Sequence, residues 1–225
     1  MERFRPERRR VAVVREVGHA TLVLGSTQST DLVSRDALRA RSVELVRRRG
    51  GGGAVYLGVG DHLWVDAWIP RDDALWSHDV SVAAEWVGQW WIEAFAAVGI
   101  GARIATERAL WVHTGRSVPG PLGDLVCFAG RGPGEVFYGD RKIVGLSQWR
   151  SREGALFSSC AYLEWEPEPL LDLLSFDDAT RSDLAGALRD VAVGVGALLA
   201  SAVDELAGVR ERLVGAFPRI GLEGT

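Results

Sequence analysis

Arg47-Arg48-Arg49-Gly50-Gly51-Gly52-Gly53-Ala54-Val55-Tyr56 is the stretch on which the reading of this chain turns. Glycine reaches backbone angles closed to other residues and has no Cβ to hold a ligand away. Inside a packed strand, four in succession would weaken the element and pack nothing. At a turn whose N–H groups curl around an anion or lie against a ligand, the same four residues suit the task. The arginines ahead of them add forked donors matched to phosphate or carboxylate. Taken alone, the run also fits a flexible surface turn with solvated charges.

Outward from this run the pattern is one of short strands with helices inserted or appended. A strand over 43–46 leads into the glycines and another over 54–57 leads out. Val11 to Val14 and Ala20 to Leu24 read as further strands. In 63–69, Leu63, Val65, Ala67 and Ile69 alternate with Trp64, Asp66 and Trp68, which makes one aliphatic face and one that carries tryptophan. Pro70 ends it. Thr30-Asp31 caps a short helix to about Arg41. Asp79 caps a long one to about Val98, with Val80, Ala83, Ala84, Val87, Trp91 and Phe95 as its buried stripe. Residues 111–121 read as loop, 124–128, 135–137, 143–144 and 159–165 as strands, and 167–174, 183–188 and 195–213 as helices. Together they predict an α+β fold: a mixed or antiparallel sheet with flanking helices.

The 225 residues, with 47% hydrophobic and 25% charged, fit one soluble globular domain. A net charge of −4 argues against a nucleic-acid binder. Residues 1–10 read as a basic, solvated tail and 11–225 as a single domain. No apolar segment suggests a signal peptide or a membrane span, so the cytoplasm is the expected location. Cys127 and Cys160 are too few for a disulfide framework, the histidines are scattered, and no metal site is read. Seven tryptophans (Trp64, Trp68, Trp76, Trp86, Trp90, Trp91 and Trp111) crowd the first half, as core packing or as the wall of an apolar pocket.

A second block stands out: Gly139-Asp140-Arg141-Lys142-Ile143-Val144-Gly145-Leu146-Ser147-Gln148. With Ile143 toward the core, Lys142 projects from the other side of a strand start. A fixed ammonium there can hold a carboxylate and a phosphate together, which suits activation of an acid by a nucleotide. A surface lysine in a hairpin is the plainer reading.

In order and separation, the two blocks resemble the lipoate–protein ligase A family, within the group of biotin ligases and lipoate or octanoate transferases. The resemblance implies a biotin/lipoate ligase-like catalytic domain in which ATP, with Mg²⁺, adenylates lipoate or octanoate. The acyl group then passes to a lysine of a lipoyl domain of a 2-oxo-acid dehydrogenase or of the glycine-cleavage H protein. It implies Lys142 at the acyl carboxylate, and Arg47, Arg48, Gly51, Gly52, Gly53, Ala54, Tyr56, Asp61, Gly145 and Ser147 along substrate or nucleotide.

The chain departs from the family pattern in places. Gly50 stands where the family has Ser or Thr. Leu57-Gly58-Val59-Gly60-Asp61 stands for His-Asp-Leu-Gly-Asn, with Asp61 a possible aid to Mg²⁺. Gly145-Leu146-Ser147-Gln148 stands for Gly-Ser-Ala-Gln, and Ser159-Cys160 lies near the usual His-Gly. There is no room for a C-terminal accessory domain, which leaves a separate accessory chain open.

Two rivals remain. Octanoyltransferases of the same group need no ATP and take octanoate from acyl carrier protein onto a cysteine. Cys127, 15 residues before Lys142 (142 − 127), matches that loop. An ammonium beside its thiol would lower the thiol pKa. The plain reading of Cys127 is packing. The other rival is a non-catalytic module that binds lipoate or an acyl carrier.

Overall fold

A computed structural model describes residues 5–104, 124–199 and 206–217. Two sheets lie face to face. The larger has six strands in the order β1-β5-β9-β8-β7-β6, and every pairing in it is antiparallel. Its strands are β1 (Val11–Arg15), β5 (His62–Pro70), β6 (Arg103–Ile104), β7 (Val136–Tyr138), β8 (Arg141–Arg150) and β9 (Gly154–Tyr162). The smaller sheet has the order β3-β2-β4, from β2 (Thr21–Leu24), β3 (Glu44–Arg47) and β4 (Val55–Leu57). There β2 runs parallel to β3 and antiparallel to β4.

Alternation assigns the faces. Leu63, Val65, Ala67 and Ile69 of β5 join Phe157 and Ala161 of β9 under α2 (Val80–Ala97), whose Ala83, Val87, Trp91 and Phe95 cover them. Val209 and Leu213 of α5 (Leu206–Ala216) close that side. The opposite face carries Trp64 and Cys160, which meet Val23, Val55 and Leu57 of the small sheet. Leu22 and Leu24 point the other way, onto Leu170 and Leu171 of α3 (Glu168–Leu171) and Leu184 and Leu188 of α4 (Asp178–Val191). All four residues of β2 are therefore buried.

Asp79 caps α2, its carboxylate accepting from the amides of Ser81 and Val82. Val80, expected on the buried stripe, is 55% exposed because it sits in the first turn, beyond the sheet. The helix expected from Thr30 is broken into a 3₁₀ turn (Thr30–Leu32) and α1 (Arg35–Ala40), capped by Ser34. Between them Val33 turns extended to bridge Leu174.

The strand expected over 124–128 reduces to a single parallel bridge, Ala54 to Val126, inside a turn. The strand expected at 143–144 extends over the whole of β8, since pairing with β9 carries its polar end. The strand expected over 159–165 begins earlier, at Gly154. The helix expected over 195–213 is a 3₁₀ turn (Val195–Leu198) and then α5. Residues 200–205 between them, and the loop expected at 111–121 with Trp111, lie outside the described residues.

Candidate active site

The two marked blocks meet where the small sheet abuts the end of β8. After β3 the glycine run turns back into β4, and the segment from Asp124 to Ala129 threads beside it. Ala54 N–H donates to Leu125 O at 2.7 Å, and Cys127 N–H donates to Ala54 O at 3.0 Å. A Cβ on Gly53 would lie 2.5 Å from the Val126 carbonyl carbon, so only glycine admits this approach. Gly52 has φ +89°, the left-handed region that other residues rarely adopt. No described atom comes within 4 Å of the Cβ position of Gly51.

Arg48 holds the turn in shape. Its guanidinium is buried, donating to Gly51 O at 2.7 Å and to Gly53 O at 2.8 Å, while Nη1 has no partner. Burial lowers its pKa, with the nearby Cys127 and Cys160 opposing. Arg47 donates to the carbonyls of Gly25 (2.7 Å) and Ser26 (3.2 Å). Arg49 lies over the Trp149 ring, 4.4 Å from its centroid. In this structure, then, the paired arginines shape the loops around the glycines.

Lys142 is 1% exposed. Its ammonium donates to Cys127 O at 2.8 Å and pairs with Glu135 Oε2 at 2.6 Å. Glu135 is buried as well; Oε2 also accepts from Gly132 N–H at 2.6 Å, and Oε1 from Leu146 N–H at 3.4 Å. Burial pushes the Glu135 carboxyl pKa up, and the Lys142 charge with these hydrogen bonds restrains the rise. An ammonium carries three donors, so one of them is left for a ligand. Lys142 lines a cavity of about 390 Å³ together with Gly52, Gly53, Gln28, Cys127, Glu135 and Leu146.

The expected effect of that ammonium on Cys127 is not what the structure gives. The carbonyl of Cys127, and not its thiol, receives Lys142. The thiol is turned toward Gly145, whose Cβ position lies 3.0 Å from Sγ. Burial raises its pKa, and Arg48 and Lys142 oppose that only in part. Cys160 is packed between the sheets, as expected.

Of the other expected residues, Ala54 is buried in the bridge beside the cavity, and Gly145 lies under Cys127 and Phe128. Ser147 Oγ lies 2.9 Å from the Cβ position of Gly50. A hydroxyl on β8 thus reaches the spot where a side chain at position 50 would start. Asp61 is turned away from the cavity, accepting from Gly58 N–H at 3.0 Å and pairing with His62 Nδ1 at 2.7 Å. Tyr56 packs against the helices outside the small sheet, its carbonyl accepting from Tyr162 OH.

Sequence reasoning missed Glu135 and Gln28. Gln28 Nε2 donates to Leu125 O at 3.0 Å, and its Oε1 accepts from Gly25 N–H. A signal for Glu135 existed: it directly follows the turn Gly130-Arg131-Gly132-Pro133-Gly134 and stands two residues before Phe137, the partner of Lys142 across a tight hairpin.

A model of the lipoyl protein ligase A/B catalytic domain matches residues 4–217. The chain belongs to that family. Among solved structures it is similar to the bipartite lipoate protein ligase of Thermoplasma acidophilum, studied with its E2 lipoyl domain. The two share 19% identity at a TM-score of 0.68, over 95% of this chain and 72% of that one. A putative lipoate protein ligase from T. acidophilum with bound lipoic acid gives 20% identity and a TM-score of 0.64, over 95% and 73%. A lipoate-protein ligase A bound with ATP gives 18% and 0.63, over 92% and 71%. A search of curated proteins gave no match. These likenesses establish the α+β catalytic fold of the lipoate ligases. No helix among the described residues is long and apolar enough to cross a membrane.

Proposed function

We propose that this family member activates lipoate or octanoate with ATP and transfers the acyl group to a lysine of a lipoyl carrier domain. The observation that carries the reading is the Lys142 ammonium, buried and fixed beside the glycine turn in the wall of one cavity. The relatives with bound lipoic acid and bound ATP, and the one studied with an E2 lipoyl domain, support it.

In the first step a carboxylate oxygen attacks the α-phosphorus of ATP, the bond to the leaving pyrophosphate breaks, and an acyl-adenylate forms. The third donor of Lys142 holds the carboxylate oxygen and stabilises charge that develops there. The fixed turn at Gly52 and Gly53 lets the reactants lie close to the backbone, a positioning contribution. In the second step the carrier lysine amine attacks the acyl carbon, AMP leaves, and the amine gives up a proton.

Mg²⁺ has no ready site among the described residues: no group of three or more His, Cys, Asp or Glu is placed to hold one. Glu135 is committed to Lys142, and Asp61 to Gly58 and His62. No step is assigned to the metal.

Cys127 lines the same cavity and carries the second reading, in which an octanoyl thioester exchanges onto its sulfur before transfer. Its raised pKa weakens that reading, because the thiolate is the nucleophile. Intact-mass measurement of an apo-lipoyl domain separates the two. With ATP, Mg²⁺ and free lipoate or octanoate, the ligase adds the acyl mass. With octanoyl-acyl carrier protein and no ATP, only the transferase does, and Cys127→Ser then abolishes the gain. No gain in either mixture overturns both for this chain acting alone and favours the non-catalytic binding module or a ligase that needs a separate accessory chain.

A further inference from the structure

The turn ahead of Glu135 brings a second cation to the Lys142 cavity. Arg131 stands in the cavity wall with Gly130, Gly132, Glu135 and Lys142. Two contacts pin the turn: Gly132 N–H donates to Glu135 Oε2 at 2.6 Å, and Gly134 packs against Ala84 of α2. The guanidinium is held as well. Its carbon lies 4.7 Å from the Phe137 ring centroid, and Nη2 donates to Asp140 O at 3.0 Å. Phe137 is buried and is the β7 partner of Lys142. The hairpin that carries Lys142 thus also braces Arg131.

What Arg131 lacks is an anion. Arg10, Arg15, Arg41 and Arg103 each pair with a carboxylate. No described carboxylate pairs with Arg131, because Glu135 is taken by Lys142 and Asp140 by Arg103. Its Nε is shut off from solvent without a hydrogen-bond partner, and no described group accepts from Nη1. Folded chains keep few buried donors in this condition, because each unmade hydrogen bond costs stability. Lys142 and Glu135 cancel as charges, which leaves Arg131 as the cation of this wall without a counter-charge in contact. Asp124 also lines the cavity, but it is exposed, where solvent and salt screen it.

We infer that Arg131 is a catalytic residue of the activation step and holds the pyrophosphate that leaves ATP. The inference rests on the ligase reading proposed above. Lys142 has one donor left, which the acyl carboxylate takes, so the phosphates beyond it need another cation. A guanidinium offers several donors in one plane, an arrangement matched to phosphate oxygens. As the bond from the α-phosphorus to the bridging oxygen breaks, the electron pair stays with the pyrophosphate. Arg131, fixed in place beforehand, stabilises the charge that gathers there. In the second step AMP leaves and no pyrophosphate is formed. Arg131 therefore serves activation and not transfer.

The test reads the two steps separately in the full chain, in Arg131→Met and in Arg131→Lys, with a thermal melt to check folding. Activation is measured as exchange of labelled pyrophosphate into ATP with Mg²⁺ and octanoate. Transfer is measured as the intact mass of an apo-lipoyl domain mixed with preformed octanoyl-adenylate and no ATP. Arg131→Met is expected to slow exchange at least about 100-fold, with transfer kept within about threefold. Arg131→Lys keeps the charge and loses the planar fork, so exchange should fall about tenfold and transfer should hold. Unchanged exchange in Arg131→Met overturns the assignment and leaves the ligase reading standing. An equal loss in both steps does the same, since it marks a residue that only braces the hairpin. If the unaltered chain exchanges nothing, the ligase reading falls for this chain acting alone, and the role of Arg131 falls with it. Should Arg131→Met fail to fold, Arg131→Lys decides by the same comparison of exchange with transfer.

Discussion

At the scale of single residues, the pairing of Lys142 with Glu135 ties function to stability. Removing one partner of a buried ion pair leaves the other charge uncompensated, a loss of about 3–5 kcal/mol. Lys142→Ala is therefore expected to abolish acyl transfer and also to lower the urea midpoint at neutral pH. The deficit carries a sign in pH. Burial lifts the Glu135 carboxyl above its unfolded value of about 4.3. A group raised in this way contributes fully below the unfolded pKa and loses stability as pH rises through the folded one. Lys142→Ala should thus come closest to the parent near pH 4 and fall furthest behind near pH 7 (both approximate, from the same pKa arithmetic). A deficit that is flat with pH would rule Glu135 out as its cause. Replacing both residues by Met should recover most of the stability and none of the activity. The glycines separate in the same manner. Gly53→Ala drives a Cβ into the Val126 backbone and should cost about 1–3 kcal/mol by overpacking. Gly51→Ala meets open space and should leave the melt unchanged. A loss of activity in Gly51→Ala with an unshifted melt would mark direct contact with a ligand.

Among the elements, those defined by local chemistry were legible and those defined by pairing were not. The Asp79 cap and the 3.6-residue apolar stripe give α2 nearly to its ends, and Pro70 ends β5 where the sequence implies. β8 was underestimated because Gly145, Ser147, Gln148 and Arg150 lack the β-branched signature, and only pairing with β9 makes them a strand. The segment at Asp124 erred in the opposite direction. Leu125, Val126, Cys127 and Phe128 look like a strand, but the glycine turn offers them only Ala54 to pair with. The cap on α2 can be measured. Asp79→Ala should lower stability by about 1 kcal/mol in a denaturant titration, and Asp79→Ser should restore most of it. Equal stability of all three proteins would show that packing of Trp91 and Phe95 fixes the helix start without the cap.

For the molecule as a whole, the two blocks that the sequence marks ninety residues apart do converge, and they do so because β8 runs past the turn between β3 and β4. Lys142, Gly52, Gly53 and Cys127 share the cavity, whereas Tyr56 and Asp61 are directed elsewhere. Their side-chain directions follow from sheet packing, which no spacing in the sequence encodes. Charge at this scale sets the last prediction. The chain carries a net charge of −4, so an acidic carrier domain meets general repulsion and needs a local basic approach. Arg48 is buried and Arg47 spends donors on Gly25 and Ser26, which leaves Arg49, exposed and stacked on Trp149, as the one of these three best placed to steer a partner. Steering changes the association rate and fades as salt shortens the Debye length from about 10 Å at 0.1 M to 3 Å at 1 M. Arg49→Glu should therefore slow transfer to an acidic lipoyl domain at low salt, raising KM with little change in kcat. The two proteins should converge as salt rises. An Arg49→Glu protein whose KM matches the parent at low salt would place the carrier on another face.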